Sequence, residues 1–263
     1  MKNSIIEIKG LSYRVGRKEI LKDISLNVAD GEFLSIVGPN GAGKTTLLKC
    51  LNRILPCTAD SIKVEGKPLA AYHQKELARI VSYVPQAGDS LFPFTVYEFV
   101  MMARYPYAGP FSTLNEADRQ AVHNALCTTG TEDLAERMVY SLSGGERQKV
   151  FVAAALAQDT KILLLDEPTT FLDPRNQAEI HGILWRVNRE AGKTVIAATH
   201  DVNNAVLMGE RILALKEGGI VYCGPSAQIM NNEILERVYG KTFLFVQHPQ
   251  TGLPIVVPEA AKS

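Results

Sequence analysis

Gly38-Pro39-Asn40-Gly41-Ala42-Gly43-Lys44-Thr45 fits the G-x-x-x-x-G-K-S/T phosphate-loop pattern with no position out of place. Phe33-Leu34-Ser35-Ile36-Val37 before it is a short apolar, β-favouring run, and Thr45 to Asn52 after it reads as a helix with Leu47, Leu48 and Leu51 on one face. Strand, glycine loop, helix is the context this loop needs. Gly38, Gly41 and Gly43 reach backbone angles that a Cβ resists, so successive N–H groups can converge on phosphate oxygens. The positive end of the helix adds to that attraction. Lys44 supplies a point charge for β- and γ-phosphates, and the Thr45 hydroxyl is a hard oxygen ligand for Mg²⁺. The nucleotide-binding set is therefore Gly38, Pro39, Asn40, Gly41, Ala42, Gly43, Lys44, Thr45 and Thr46.

Outward from the loop, Ile5 to Leu11 and Ile24 to Val28 alternate like half-buried strands, which puts an antiparallel β part ahead of the loop. Tyr13 is expected in the connection between those strands, where a ring can stack on a base or cover the sheet edge. Glu76 to Ile80 reads as a brief helix and Ile80 to Val84 as a buried strand stopping at Pro85-Gln86. From Ala87 to Asp159 the periodicity is helical: Thr95-x-x-Glu98 is a capping box, Asn115 caps Glu116 to Thr128, and Ser143 opens a third helix. Ile162 to Leu165 is a continuous apolar run, the mark of a strand buried on both faces, and it ends in Asp166-Glu167-Pro168. Thr194 to Thr199 is a second such strand and delivers His200. Open α/β sheets place ligands at these carboxyl ends. A hairpin over Arg211 to Cys223 and a last small hairpin within 241–263 complete the chain.

The chain has 263 residues, 46% of them hydrophobic, with 28 Lys+Arg against 28 Asp+Glu. That balance gives no electrostatic case for a nucleic-acid partner or an anionic membrane. The best apolar run, Val150 to Ala157, falls far short of the roughly twenty residues a spanning helix needs, so membrane attachment is expected through a partner. Ile5-Ile6-Glu7-Ile8 meets charge too soon for a signal-peptide core. Cys50, Cys57, Cys127 and Cys223 form no C-x-x-C pair and read as reduced thiols.

A phosphate loop alone leaves kinases, GTPases, helicases and transport ATPases open. With Leu142-Ser143-Gly144-Gly145-Glu146, the apolar strand ending Asp166-Glu167 and the later His200, the chain resembles the ATP-binding cassette (ABC) ATPases over nearly its whole length. The resemblance implies a P-loop α/β core with a mainly parallel sheet, an N-terminal antiparallel β part and an inserted helical subdomain. As one ABC ATPase domain over 1–263, it would have its core in 1–86 and 160–240, helical subdomain in 87–159 and C-terminal extension in 241–263.

By the same resemblance Glu167 is the base for the attacking water, His200 contacts the γ-phosphate, and Asp166 holds Mg²⁺ through water. Gln86 reaches Mg²⁺ and the water while sensing the transport partner, and Tyr13 stacks on adenine. Ser143, Gly144 and Gly145 form the signature that binds γ-phosphate on the opposite subunit, and Asp173 lies in the loop connecting the sites. Two copies facing head to tail then complete two ATP sites. Tyr83-Val84-Pro85-Gln86, Ala103-Arg104-Tyr105-Pro106 and Thr169 to Asp173 look most like the importers of iron–siderophore complexes, haem and cobalamin. That branch implies permease subunits, an extracytoplasmic solute-binding protein acting indirectly, and a peripheral place on the cytoplasmic membrane face. The alternatives are an importer ATPase for another small solute and a soluble ABC ATPase of the DNA-repair type. The latter needs a coiled coil or DNA-binding insertion between loop and signature, where this chain has a compact helical stretch. A small-molecule kinase would leave Leu142 to Glu146 without a job.

Overall fold

Alternation decides the first two strands, β1 (Ser4–Val15) and β2 (Lys18–Ala29): in β2, Ile24, Leu26 and Val28 are buried while Asp23, Ser25 and Asn27 face water. The computed structural model describes residues 3–57, 61–86, 92–109 and 115–257. The chain divides into two units, Met1–Leu69 with Ile196–Ser263, and Ala70–Val195. The expected start of the helical stretch at Ala87 and the last six residues of the C-terminal extension lie outside the described residues.

In the first unit β1 and β2 pair antiparallel through several register shifts and run longer than the alternation alone suggests. Tyr13 is thereby in a bulged part of β1, opposite Leu21, and not in a connecting loop; the bulges broke the period that would have revealed it. β3 (Phe33–Val37) is buried at every residue, and α1 (Lys44–Leu51) follows it across the glycine loop. β4 (Ile62–Val64) and β5 (Lys67–Pro68) extend the antiparallel sheet in the order β2-β1-β4-β5.

The second unit opens with α2 (Gln74–Leu77), placed earlier than the expected Glu76 to Ile80 because Ile80 sits in the turn leading to β6 (Val81–Val84). Then come α3 (Val96–Met102), α4 (Glu116–Thr129) and α5 (Gly144–Ala157). Thr95, Asn115 and Ser143 each cap their helix in a capping box, with Glu98, Asp118 and Glu146 as partners; the first of these was expected from the Thr95–Glu98 spacing. Phe92, Phe99 and Phe151 pack with ring centroids 5.1–5.9 Å apart, joining α3 to α5. The buried Arg104 donates to Asp118 at 2.9 Å and to the Ala157 carbonyl at 2.7 Å, tying α4 to the end of α5. β7 (Ile162–Asp166) is buried throughout and parallel to β6; α6 (Pro174–Arg189) follows, and β8 (Thr194–Ala198) begins here and ends in the first unit. Within this unit the strand order is β8-β7-β6.

Returning to the first unit, α7 (Val202–Met208) follows His200, then the antiparallel pair β9 (Arg211–Lys216) and β10 (Gly219–Pro225), α8 (Asn232–Tyr239), and the hairpin of β11 (Leu244–Gln247) and β12 (Pro254–Val257). Strand order here is β10-β9-β3-β8, with β3 and β9 parallel. The fold is α/β: a mostly parallel sheet with an antiparallel sheet built from the N-terminal strands.

Candidate active site

The glycine loop is shaped by what surrounds it. A Cβ on Gly38 would strike the Leu215 carbonyl of β9, and one on Gly43 would lie 3.0 Å from the Ile20 carbonyl. Both residues also have positive φ, 146° and 105°, so sterics and backbone both demand glycine. Gly43 is the N-cap of α1, whose first turn carries no acidic side chain, leaving its N–H end suited to an anion. Lys44 is buried, and its ammonium donates to the carbonyls of Gly38 at 2.8 Å and Pro39 at 3.3 Å. Leu21, the register partner of Tyr13, packs close to Gly43, so Tyr13 stands one strand away from the start of α1.

His200 reaches the same part of this unit from the end of β8. The Thr199 N–H donates to the Ile36 carbonyl at 2.9 Å, two residues ahead of Gly38, and Asp201 caps α7 by accepting from the Asn204 N–H at 3.1 Å. His200 itself is exposed. The Tyr239 hydroxyl is buried with no hydrogen-bond partner among the described residues. Burial and the Asp201 carboxylate push it up to about 12, while the Gly38 N–H acts in the opposite sense from outside bonding geometry.

In the second unit the carboxylates at the end of β7 are each held by a hydroxyl to which the sequence reading gave no role at the site. The Tyr83 hydroxyl donates to Asp166 Oδ2 at 3.2 Å, and burial followed by the Asp166 charge raises Tyr83 well above the ordinary phenol range. Asp166 is buried. Glu167 has φ of 50°, uncommon for a residue with a side chain, and accepts from the Thr170 hydroxyl at 2.7 Å. Neither partner is readable from spacing, since Tyr83 comes from a strand 83 residues away and Thr170 acts through a turn.

Ser143 accepts from the Glu146 N–H at 3.3 Å, and its own N–H donates to Glu146 at 2.8 Å, which holds that carboxylate below its usual range. Gly144 is exposed, whereas Gly145 is buried, and a Cβ there would overlap the Asn176 side chain. Asn176 in turn bonds Asp173 through its backbone N–H at 2.9 Å and its amide at 2.7 Å, and the first of these holds the Asp173 carboxyl low. Asp173 and Gly145 are thus joined through one asparagine that went unnoticed in the sequence. Gln86 is exposed and lines a groove of about 260 Å³ with Tyr83, Phe92, Phe99 and Phe151.

A strand–glycine loop–helix unit, and a buried strand ending in adjacent carboxylates, define a P-loop nucleotide-hydrolysing protein. The chain belongs to the ABC transporter ATPase family: the model described as ABC transporter matches residues 21–170. It is 37% identical to the ferric enterobactin transport ATP-binding protein of Escherichia coli (strain K12), over 98% of this chain and 96% of that one. It is also 37% identical to the iron(3+)-hydroxamate import ATP-binding protein of Bacillus subtilis (strain 168), over 94% and 91%. The hemin import ATP-binding protein of Thermobifida fusca (strain YX) is 37% identical over 97% and 88%. Among solved structures, a metal-chelate type ABC transporter in an inward-facing conformation superposes with a TM-score of 0.85 at 27% identity, covering 98% of each chain. A dimeric ATP-binding cassette in a post-hydrolysis state with ADP and Pi superposes at 0.73 with 31% identity, over 84% of this chain and 98% of that one.

Proposed function

We propose that this chain is the ATP-hydrolysing subunit of an importer for iron–siderophore, haem or cobalamin-type chelates, working as a head-to-tail pair against two permease subunits. The observation that carries the reading is the pair of glycine-opened helix N-termini, at Gly43 on α1 and at Ser143–Gly145 on α5. One chain has one phosphate loop, so the second N-terminus is explained by a partner copy whose ATP it completes. The relatives named for ferric enterobactin, iron hydroxamate and hemin support the cargo class. Among the described residues no helix is long and apolar enough to cross a membrane. That fits peripheral attachment at the cytoplasmic face through the permease, with the solute-binding protein acting from the other side. The apolar groove beside Gln86 suits a short permease segment, which would couple that glutamine to transport.

In this reading Lys44 and the α1 N-terminus bind the β- and γ-phosphates, Tyr13 stacks on adenine, and Ser143 to Gly145 bind the partner's γ-phosphate. The Thr45 hydroxyl and the buried Asp166 carboxylate are hard oxygens of the kind Mg²⁺ takes, with Gln86 a third. Held there, Mg²⁺ would neutralise phosphate charge. Glu167, held by Thr170, accepts the proton of the attacking water, and His200 keeps that water and the γ-phosphate in line. Asp173 links the two sites.

Glu167→Gln tests the whole arrangement. Glutamine keeps the size but cannot take the proton, so hydrolysis should fall by about 10²–10⁴-fold, the usual weight of a positioned base. ATP binding should survive. The variant should then elute as a dimer on size exclusion only with ATP and Mg²⁺. Wild-type turnover, or a monomer at saturating ATP, would overturn the base assignment and the shared sites.

A further inference from the structure

The matched family region ends at residue 170, and no role attaches to the closing hairpin of β11 and β12. Its second strand lies against α7, the seven-residue helix that begins two residues after His200. Asn203 of α7 donates through Nδ2 to the Val256 carbonyl at 2.9 Å and accepts from the Val256 N–H at 2.8 Å. The side-chain amide thus caps both backbone groups of one β12 residue as a neighbouring strand would, a two-point fit that needs donor and acceptor side by side. Phe243, Phe245, Leu253 and Val256 pack against the cluster that contains Val202, Ala205 and Val206 of α7. Phe243 also meets Tyr239 edge to face at 5.8 Å, and its N–H donates to the Asn232 side chain at 2.7 Å.

A helix of two turns is not stable alone in water, and neither is a two-stranded hairpin. Each therefore depends on its attachments. On its other side α7 is fixed by Asp201, by Thr199 bonded to Ile36, and by the Ser35 hydroxyl donating to the Ala205 carbonyl at 3.2 Å. Only the Asn203–Val256 bonds tether its first turn to the C-terminal hairpin among the described hydrogen bonds. We infer that Asn203 is a positioning residue: through it the C-terminal hairpin splints the first turn of α7 and so holds His200 where it meets the γ-phosphate. This rests on the proposed role of His200.

The experiment is a double-mutant cycle in the full chain. Asn203→Ala should lower kcat about three- to tenfold, the span one or two ordinary hydrogen bonds cover, with ADP affinity by calorimetry and Tm near wild type. Val256→Pro removes one of the two bonds, the edge-strand N–H that points away from the hairpin ladder, so the part of its cost that runs through that bond should vanish in the Asn203→Ala background. In a His200→Ala background Asn203→Ala should cost nothing further. The inference is overturned if Asn203→Ala leaves kcat unchanged, if it costs the same factor with and without His200, or if ADP affinity and Tm fall with kcat. If His200→Ala itself leaves kcat at wild type, the reading of His200 is what has failed, and the splint falls with it.

Discussion

Thr170 is the side chain on which the catalytic reading leans most at the residue scale. Its hydroxyl bonds Glu167 at 2.7 Å while the Glu167 backbone is held at φ 50°. A hydrogen bond to a charged group contributes about 1.5–3 kcal/mol, so Thr170→Ala should lower kcat on the order of tenfold or more with ATP binding unchanged. Thr170→Ser should restore most of it. Steady-state hydrolysis beside calorimetric ATP binding checks both. The places of the glycine loop, Asp166, Glu167 and His200 in the fold were legible because each sits in a local pattern, a glycine spacing or an apolar run ending in polar residues. Tyr83, Thr170, Asn176 and Asn203 were not: each takes its meaning from a partner that only folding supplies. Gly145 shows the two kinds together, since its place in the signature is readable but its packing on Asn176 is not.

At the scale of an element, α4 depends on one buried carboxylate. Its cap Asn115 and the Arg104 guanidinium share Asp118: the Asn115 N–H holds the carboxyl below its usual range, burial pushes the other way, and Arg104 helps to hold it low. Asp118→Asn leaves Arg104 buried beside a neutral group, and breaking such a pair costs about 3–5 kcal/mol. Thermal or urea unfolding should show it. Because the folded pKa is depressed, the ionised Asp118 stabilises fully above the unfolded carboxylate pKa of about 3.9. That contribution fades as pH falls from there through the lower folded value, and Asp118→Asn should remove this part of the acid dependence. The starts of α3, α4 and α5 were legible because the caps at Thr95, Asn115 and Ser143 are local, whereas α2 begins two residues ahead of the expected Glu76. Tyr13 was misplaced because bulges in β1 break the two-residue period.

For the molecule as a whole, the proposed reading of one phosphate loop and one signature per chain would make turnover a property of two chains. Specific activity should rise with protein concentration until pairing is complete, and then level off. Mixing supplies the sharper check. Ser143→Arg and Lys44→Ala chains should each be nearly inactive alone, yet together form pairs with one intact loop facing one intact signature. Activity regained on mixing supports the shared sites, and none regained counts against them. The fold class was legible at this scale through the resemblance carried jointly by the phosphate loop, the Leu142 to Glu146 stretch, the Asp166–Glu167 strand end and His200, and the relatives cover nearly the full chain.

Phe171 closes the loop between Glu167 and Asp173, with φ of 64° and 90% of its surface open to water. A bulky residue in that conformation carries strain of about 1–3 kcal/mol, and its ring recovers nothing by burial in the single chain. Stability of the isolated chain therefore selects against phenylalanine at this position. Screens for heat resistance in the isolated subunit would favour glycine or asparagine there, and would discard whatever the ring contributes once the loop is covered.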